Sequence, residues 1–132
     1  MDLIKHKILK KRLLELGDSE YMCDAQLNHF FAILSERKEK CVRSISMTNV
    51  YLTEFENLID PNEIESQRNL QNLYLKRLAK ETKILAGINS SILAIENKTY
   101  GYCIKTGAKI GVERLIEKPT EKYAIKWVLG KG

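Results

Sequence analysis

Apolar residues recur at alternating spacings of three and four over two long stretches of the chain, one on each side of Pro61. Such spacing places the apolar side chains on one side of a helix, where they can pack against a second helix. We therefore predict a mainly α-helical protein with a long antiparallel coiled-coil hairpin over residues 20–97. The predicted seam consists of Leu27, Phe30, Leu34, Cys41, Ile45, Thr48, Leu52, Phe55 and Ile59 on the first arm and Gln71, Tyr74, Leu78, Leu85, Ile88, Ile92 and Ile95 on the second, where Glu81 is a polar interruption.

The connection between the two arms carries capping signals. Asp60 can cap the second helix through its carboxylate, Pro61 suits the first helical position, and Glu63 completes a capping box. Residues 53–66 contain five acidic residues and no basic one. The sequence thus predicts an acidic hairpin tip, where Asp60, Glu63 and Glu65 either bind a basic surface or a hydrated Mg²⁺, or only stabilise the helix start.

The two ends of the chain are predicted to form a small globular module. Residues 1–19 read as a short amphipathic helix that ends at Gly17 and packs on the C-terminal module of residues 98–132. In that module, residues 100–104 and 108–111 alternate like two short strands around a turn. Two short helices are expected after them, at residues 112–117 and 120–129.

Composition and charge narrow the class of protein. The 132 residues include only seven Gly and two Pro, which favours long helices over a loop-rich fold. There is no apolar run of membrane-spanning length and no secretory signal pattern, so we expect a cytoplasmic protein without a membrane partner. Residues 98–132 include eight basic and three acidic residues. A surface of this kind either binds a phosphate-rich partner or simply keeps the protein solvated.

Residues suited to catalysis are scarce. His6 and His29 have no sequence context that suggests a triad, and the Gly107-x-x-x-Gly111 spacing lacks the Lys-Ser/Thr ending of a phosphate loop. The three cysteines, Cys23, Cys41 and Cys103, are widely spaced, which argues against a disulfide framework. We therefore expect a protein that is not an enzyme.

Two stretches carry more specific motifs. The first reads Tyr21-Met22-x-x-Ala25-Gln26-Leu27-x-His29-Phe30-x-x-Ile33-Leu34. The second reads Tyr100-Gly101-Tyr102-Cys103-x-x-x-Gly107-x-x-Ile110-Gly111-x-x-Arg114-Leu115-x-x-x-Pro119-Thr120. They resemble the start of the coiled-coil arm and the zinc-finger region of the DksA/TraR family of bacterial RNA polymerase regulators. The likeness extends from about residue 20 to residue 127.

This resemblance implies a partner and a mode of action. Family members insert their hairpin into the secondary channel of RNA polymerase and alter initiation without binding specific DNA. Asp60, Glu63 and Glu65 are then the expected polymerase-binding residues of the tip. The family pattern at the tip is Asp-x-x-Asp-x-Ala, so the second acid here is one methylene longer and Glu65 adds a charge. Binding can survive this change while its effect near the active centre differs.

The zinc finger implied by the family is degenerate in this sequence. Its two C-x-x-C pairs read here Cys103-x-x-Thr106 and Ala124-x-x-Trp127. A single remaining thiolate cannot hold a structural zinc, so we predict no metal and no cofactor. Packing should replace the metal, with a predicted core of Trp127, Tyr123, Tyr102, Ile110 and Leu115.

Some family members help the polymerase to bind guanosine tetraphosphate (ppGpp), partly through basic residues. Lys80 and Lys83 are the candidate ppGpp contacts, or they only keep the arm soluble. Gly87 and Val128 stand where lysines are usual, and this weakens the prediction of a ppGpp response.

Two alternative functions stay open at this point. Tip carboxylates could hold a Mg²⁺ ion in the polymerase and promote transcript cleavage, or the basic module could bind nucleic acid. The sequence does not indicate which promoters respond, or whether they are activated or repressed.

Overall fold

The structure is a computed structural model that describes residues 21–57 and 61–130. These residues contain four helices, α1 (Asp24–Asn57), α2 (Ile64–Glu96), α3 (Val112–Glu117) and α4 (Ile125–Gly130). They belong to two compact units. We call residues 36–57 and 61–89 the hairpin unit, and residues 21–35 and 90–130 the module. The predicted N-terminal helix at residues 1–19 lies outside the described residues, as do Ile59 and Asp60.

The hairpin unit is an antiparallel pair of helices, as predicted. Cys41 near its start contacts Glu81, whereas Tyr51, ten residues later, stacks on Tyr74 at a ring distance of 5.5 Å. The predicted seam is confirmed within this unit, because every described seam residue is buried or half-buried. Only Thr48 and Ile88 among the described residues of this unit are fully buried, so the seam is narrow.

The second long helix begins later than the capping pattern predicts. Pro61, Asn62 and Glu63 form a turn and a bend, and α2 starts at Ile64. The Glu63 carbonyl accepts the first helical hydrogen bond, from the Gln67 N–H at 3.0 Å, so Glu63 occupies the N-cap position. The prediction that Pro61 is the first helical residue is therefore wrong, because the helix starts after the turn that this proline initiates.

The module has its own apolar core. Phe30, Leu34 and Leu115 are completely buried, and the Tyr100 ring lies 5.5 Å from that of Phe30. The Tyr100 hydroxyl is also buried and donates to the Pro119 carbonyl at 2.7 Å. Helix α3 has the predicted bounds and presents Leu115 to this core.

The predicted core of the module is partly wrong. Leu115 and Ile110 are buried as expected, but Tyr102 is 36% exposed. Tyr123 and Trp127 are half-buried and stack on each other, with ring centroids 4.6 Å apart. Five residues that the prediction did not include are also buried in the module, namely Tyr100, Cys103, Ile116, Pro119 and Ala124.

The predicted β-hairpin of the module is reduced to one antiparallel bridge, between Tyr102 and Lys109. Two hydrogen bonds flank it, from Cys103 N–H to the Ala108 carbonyl at 2.7 Å and from Ile110 N–H to the Gly101 carbonyl at 2.8 Å. The pairing ends at Gly101, which has a φ of 90° that an L residue rarely adopts. The segments therefore meet as predicted without forming regular strands in the described part of the chain.

Helix α4 starts at Ile125, five residues after the predicted start. The Glu121 carboxylate explains the delay, because it accepts hydrogen bonds from the backbone N–H groups of Lys122 and Tyr123 at 3.1 and 3.3 Å. These bonds hold the segment in a turn and compete with helix formation.

Candidate functional site

The acidic residues that the structure describes at the hairpin turn are open to solvent. Glu63 occupies the N-cap of α2 and Glu65 lies in its first turn, and both are exposed. Negative charge at this position favours the positive end of the helix dipole. Asp60, the third predicted tip residue, lies outside the described residues. The turn can therefore present at least two carboxylates to a partner.

The candidate ppGpp contacts lie on α2 within the hairpin unit. Lys80 and Lys83 are three residues apart and both are exposed. Gly87, which weakens the ppGpp prediction, is half-buried on α2, and Val128, which does the same, is exposed on α4 in the module. The positive charge that the structure describes on this part of α2 comes from Lys76, Arg77, Lys80 and Lys83.

A polar cluster interrupts the apolar seam of the hairpin unit at Glu81. The Glu81 Oε1 atom accepts hydrogen bonds from the Ser44 hydroxyl at 2.5 Å and from Arg77 Nε at 3.1 Å. The Arg77 guanidinium also donates to Ser44 Oγ at 3.2 Å, and the Cys41 thiol donates to the Glu81 carbonyl at 3.3 Å. The cluster thus joins the two helices at one fixed register.

The charge of Glu81 is stabilised within this cluster. The Ser44 hydrogen bond and the adjacent Arg77 lower the pKa of the Glu81 carboxyl, and they outweigh the opposing effect of burial. Its second oxygen, Oε2, is buried and has no hydrogen-bond partner among the described residues. A shift of one helix along the other would remove the hydrogen bond from Ser44 and leave this partly desolvated carboxylate with fewer partners. Such a shift is therefore costly in free energy.

In the module, three of the four positions of the predicted degenerate zinc finger come together, namely Cys103, Thr106 and Ala124. The Cys103 sulfur accepts hydrogen bonds from the Thr106 hydroxyl and from the backbone N–H groups of Ala124, Lys105 and Thr106. The Gly107 N–H donates to the Cys103 carbonyl at 2.9 Å and closes the loop around the sulfur. Trp127, at the fourth position, stacks on Tyr123. Hydrogen bonds therefore converge on the single sulfur.

These bonds change the acidity of Cys103. Burial raises the pKa of its thiol, but the hydrogen bonds from Thr106, Ala124 and Lys105 more than offset this effect and lower the pKa to about 7. The side chain is only 3% exposed. The thiolate form is thus stabilised in a place that solvent scarcely reaches.

The residues around Cys103 do not fit a structural zinc ion. Such an ion takes four ligands from Cys, His, Asp or Glu, whereas Thr106 offers a hydroxyl and Ala124 offers no side-chain donor atom. Over residues 21–57 and 61–130, no three side chains of those four types come together. The donor set supports hydrogen bonding to sulfur rather than metal binding.

Tyr21 and Arg114 hold the loops of the module in place. The Tyr21 hydroxyl donates to the Gly101 carbonyl at 2.6 Å and accepts from the Gly111 N–H at 2.9 Å. Burial raises the pKa of this hydroxyl and so keeps it protonated. Arg114 donates to the Tyr123 carbonyl at 3.1 Å and forms an ion pair with Glu121 at 3.3 Å. Tyr21 thus joins the segment before α1 to residues 101 and 111, and Arg114 joins α3 to the segment before α4.

Sequence reasoning missed several of these residues. The sequence identifies Glu81 as a polar interruption of the seam, but it does not identify Ser44 and Arg77 as the partners of Glu81. These partners depend on how the two helices are aligned, which the spacing of apolar residues does not specify. Thr106 was regarded only as a lost ligand, but it donates to Cys103. A search for hydrogen-bonding residues at each position of the predicted zinc finger could have found Thr106.

Comparison with known proteins identifies relatives along most of the chain, although no family model matches it. The RNA polymerase-binding transcription factor DksA of Salmonella typhimurium is 31% identical over 112 residues, which is 84% of this chain and 74% of that protein. The factor of the same name from Haemophilus influenzae is 31% identical over 109 residues, or 82% of this chain and 75% of the relative.

A solved structure supports the same relationship. The structure of transcription factor DksA2 from Pseudomonas aeruginosa matches with a TM-score of 0.84 and 27% sequence identity, and the match covers 91% of this chain and 93% of that one. The chain thus has relatives both in sequence and in fold. The protein belongs to the DksA/TraR family.

Proposed function

We propose that the protein binds bacterial RNA polymerase and regulates transcription initiation, with the turn of its hairpin inserted into the secondary channel. The observation that carries the proposal is the pair of exposed carboxylates, Glu63 and Glu65, at the turn of a two-helix unit. The chain belongs to a family whose named members are RNA polymerase-binding transcription factors. Asp60 extends the acidic turn in the sequence and is included in the proposal.

The physical reason is the combination of a narrow element and concentrated charge. Two helices side by side are narrow enough for a channel that a globular domain could not enter. Inside such a channel, water is partly excluded and a charge pair is stronger than at an open surface. Carboxylates at the turn therefore gain most of their binding energy at full insertion.

The protein itself performs no catalysis in this proposal. Its carboxylates position the hairpin, and the polymerase carries out the chemistry.

Helices that could cross a bilayer are not found in the described part of the chain. We place the protein in the cytoplasm, where the proposed partner acts.

A binding experiment tests the role of the turn. We expect the Glu63→Gln, Glu65→Gln double variant to bind Escherichia coli core polymerase about tenfold more weakly than the wild type, since each carboxylate loses a desolvated charge pair. The matched control is Glu36→Gln with Glu39→Gln, which removes two exposed charges from α1. Equal affinity of the turn variant and the wild type would show that these carboxylates only stabilise the helix start.

In vitro transcription tests the regulatory part of the proposal. We expect the wild type to change transcript yield from a ribosomal RNA promoter, and the turn variant to do so only at higher concentration. With ppGpp titrated in, we expect little further change, because Gly87 and Val128 supply no cation. If ppGpp strengthens the effect and Lys80→Gln with Lys83→Gln removes that increase, the ppGpp part of the proposal is wrong.

A further assay with the same protein and polymerase distinguishes regulation of initiation from promotion of transcript cleavage. A stalled elongation complex incubated with the protein and Mg²⁺ should keep its RNA at full length. Shortened RNA that disappears with the turn variant would instead identify the carboxylates as metal ligands for cleavage.

A further inference from the structure

Four exposed residues form a stripe along α1. Arg43, Met47, Val50 and Glu54 follow one another at spacings of four, three and four residues, which places them on one side of the helix. All four are exposed, Met47 by 53% and Val50 by 51%. Two apolar residues therefore lie in the middle of the stripe, with a base at one end and an acid at the other. We call these four residues the α1 stripe.

The order of the α1 stripe is complementary to itself. Its midpoint lies between Met47 and Val50, and Arg43 and Glu54 each lie about 8 Å from it along the helix axis. When two such stripes are placed face to face in antiparallel orientation, Met47 meets Val50 and Arg43 meets Glu54. Each of these contacts then occurs twice, because a two-fold axis relates the two helices.

Helix α2 continues this side of the hairpin unit. The Arg77 guanidinium donates to Ser44 Oγ at 3.2 Å, so Arg77 lies on the side of α2 that adjoins Ser44. Met47 follows Ser44 by three residues and shares that side of α1. On α2, Leu70 and Ile84 are each seven residues from Arg77, and they are 42% and 46% exposed. These two apolar residues are thus also placed symmetrically.

The midpoints of the two rows lie at the same level of the hairpin unit. Tyr51 stacks on Tyr74 with ring centroids 5.5 Å apart, so these two residues share one level of the antiparallel pair. The midpoint of the α1 stripe is two to three residues before Tyr51, and the matching level on α2 is therefore two to three residues after Tyr74, at residues 76–77. A single two-fold axis across this side thus serves both rows at once.

Other charges on this side are largely balanced within each copy. Arg77 lies near the shared midpoint, and its guanidinium forms an ion pair with Glu81 at 3.1 Å. Lys40 and Glu36, beyond the basic end of the α1 stripe, form an ion pair at 3.4 Å. Lys80 is exposed and adds a positive charge on α2. The charge match between two copies is therefore made on α1.

We propose that a second copy of this chain docks on this side of the hairpin unit, with the two α1 stripes antiparallel and in contact. Each dimer then has two Arg43–Glu54 ion pairs around four central apolar residues, and Leu73, which is 65% exposed, adds apolar area on each α2. A second copy is the fitting occupant because the base and the acid of the stripe are equally far from its midpoint, so that the surface matches its own charge pattern.

The α1 stripe is short, which predicts a weak and reversible dimer. Eleven residues separate Arg43 from Glu54, or about 16 Å of helix. Contacts of this extent belong to the small class of transient interfaces. The dimer combines four helices and is too wide for a passage that admits two, so it is a reserve form that must dissociate before the polymerase is bound. This consequence, unlike the dimer itself, rests on the proposed function.

Sedimentation velocity from about 1 to 200 µM tests the dimer, and the wild type should shift from monomer to dimer over this range. Glu54→Lys should weaken the dimer about tenfold or more, because both ion pairs become repulsive contacts. Arg43→Glu should have the same effect for the same reason. The chain that carries both substitutions should dimerise within about threefold of the wild type, because reversal of both charges restores the pairs.

Lys38→Glu is the matched control for the charge reversals. Lys38 is exposed and lies about 140° around α1 from Arg43, so this change should leave dimerisation within about twofold of the wild type. Circular dichroism should show the same helix content for all these variants, because the substituted side chains are exposed.

A second pair of variants tests the apolar centre. Met47→Gln with Val50→Gln should weaken the dimer, because it replaces four apolar residues in each pair of copies. Val42→Gln with Leu75→Gln should not, since these residues are exposed to a similar degree, 46% and 47%, and lie outside the two rows. Glutamine forms helices well, so both variants should fold.

The outcomes distinguish this proposal from the proposed function. A wild type that stays monomeric up to about 200 µM contradicts the dimer. So does a dimer that Glu54→Lys leaves unchanged, or one that the combined reversal does not restore, since the two copies then meet elsewhere. For the reserve form, we expect one chain per core polymerase at a concentration where the free chain is a dimer. Two chains per polymerase would exclude the reserve form and leave the dimer standing, whereas no binding would count against the proposed function alone.

Discussion

The two units of this protein use apolar residues in opposite ways. The module buries Phe30, Leu34 and Leu115 completely, and its loops are connected by hydrogen bonds between distant residues, such as Tyr21 with Gly101. The hairpin unit buries only Thr48 and Ile88 among its described residues and leaves much of its apolar surface exposed. A buried core stabilises a fold, whereas exposed apolar and charged side chains are available for a partner. The module thus provides stability, and we assign binding to the hairpin unit.

The largest expected effect on stability comes from truncating a buried side chain in the core of the module. Leu115→Ala should lower the free energy of unfolding by about 2–5 kcal/mol, because it leaves a cavity that neighbouring residues fill only in part. Leu73→Ala in the hairpin unit should change it by less than about 0.5 kcal/mol, since Leu73 is 65% exposed. Urea unfolding followed by Trp127 fluorescence measures the module, because Trp127 is the single tryptophan. Equal effects of the two changes would contradict the contrast between the units.

The hydrogen-bonded sulfur of the module gives the next prediction. Cys103→Ala should lower the melting temperature, whereas a zinc chelator should leave that of the wild type unchanged. The pKa of Cys103, about 7, lies below the ordinary value for a thiol. Its stabilising contribution is therefore complete above the unfolded pKa and is lost as the pH falls through about 7. The difference in melting temperature between wild type and variant should increase from pH 6 to pH 9.

Two results would contradict this interpretation of the sulfur. One tightly bound zinc ion per chain in a metal analysis of the purified protein would mean that the donor set around Cys103 does fit a metal. A wild-type-minus-variant difference that stays constant with pH would mean that the thiolate is not stabilised. Thr106→Val tests the same interpretation more selectively than Cys103→Ala, because it removes one hydrogen bond to the sulfur and keeps a side chain of similar shape.

How far the sequence predicts the structure also differs between the two units. The hairpin seam follows from periodicity, because every described seam residue lies where a helix would place it. The core of the module does not, since Tyr100 and Pro119 meet through turns and a hydrogen bond between residues far apart in the sequence. At the turn, the acidic character is evident from composition, but the helix start is not, because the turn after Pro61 competes with the capping pattern.

The polar cluster of the hairpin unit should have a smaller effect. Ser44→Ala removes the main cause of the lowered pKa of Glu81, so that pKa should rise and stability at neutral pH should fall by about 1 kcal/mol. The contribution of Glu81 is present above its unfolded pKa and is lost as the pH falls through the lowered value. Wild type and variant should therefore converge in acid, as thermal unfolding by circular dichroism between pH 2 and 7 can measure. A difference that persists unchanged in acid would exclude this cause.

A small effect on stability is also expected at the hairpin turn. Glu63→Gln with Glu65→Gln should change the free energy of unfolding by only about 0.3–1 kcal/mol, the usual range for charges at a helix start. The same variant should have one of the largest effects on polymerase affinity. A large loss of stability with unchanged affinity would reverse the assignment of binding to this unit.

Site-specific cross-linking tests polymerase insertion most directly. Benzoylphenylalanine in place of Asn62, which is exposed at the hairpin turn, is irradiated in a complex with core polymerase, and the linked polymerase peptides are identified by mass spectrometry. A cross-linker in place of exposed Lys126 in the module serves as the comparison. We expect the turn to link to peptides that line the secondary channel, and Lys126 to link outside it or not at all. Links from the module to the channel, with none from the turn, would contradict the proposed mode of binding.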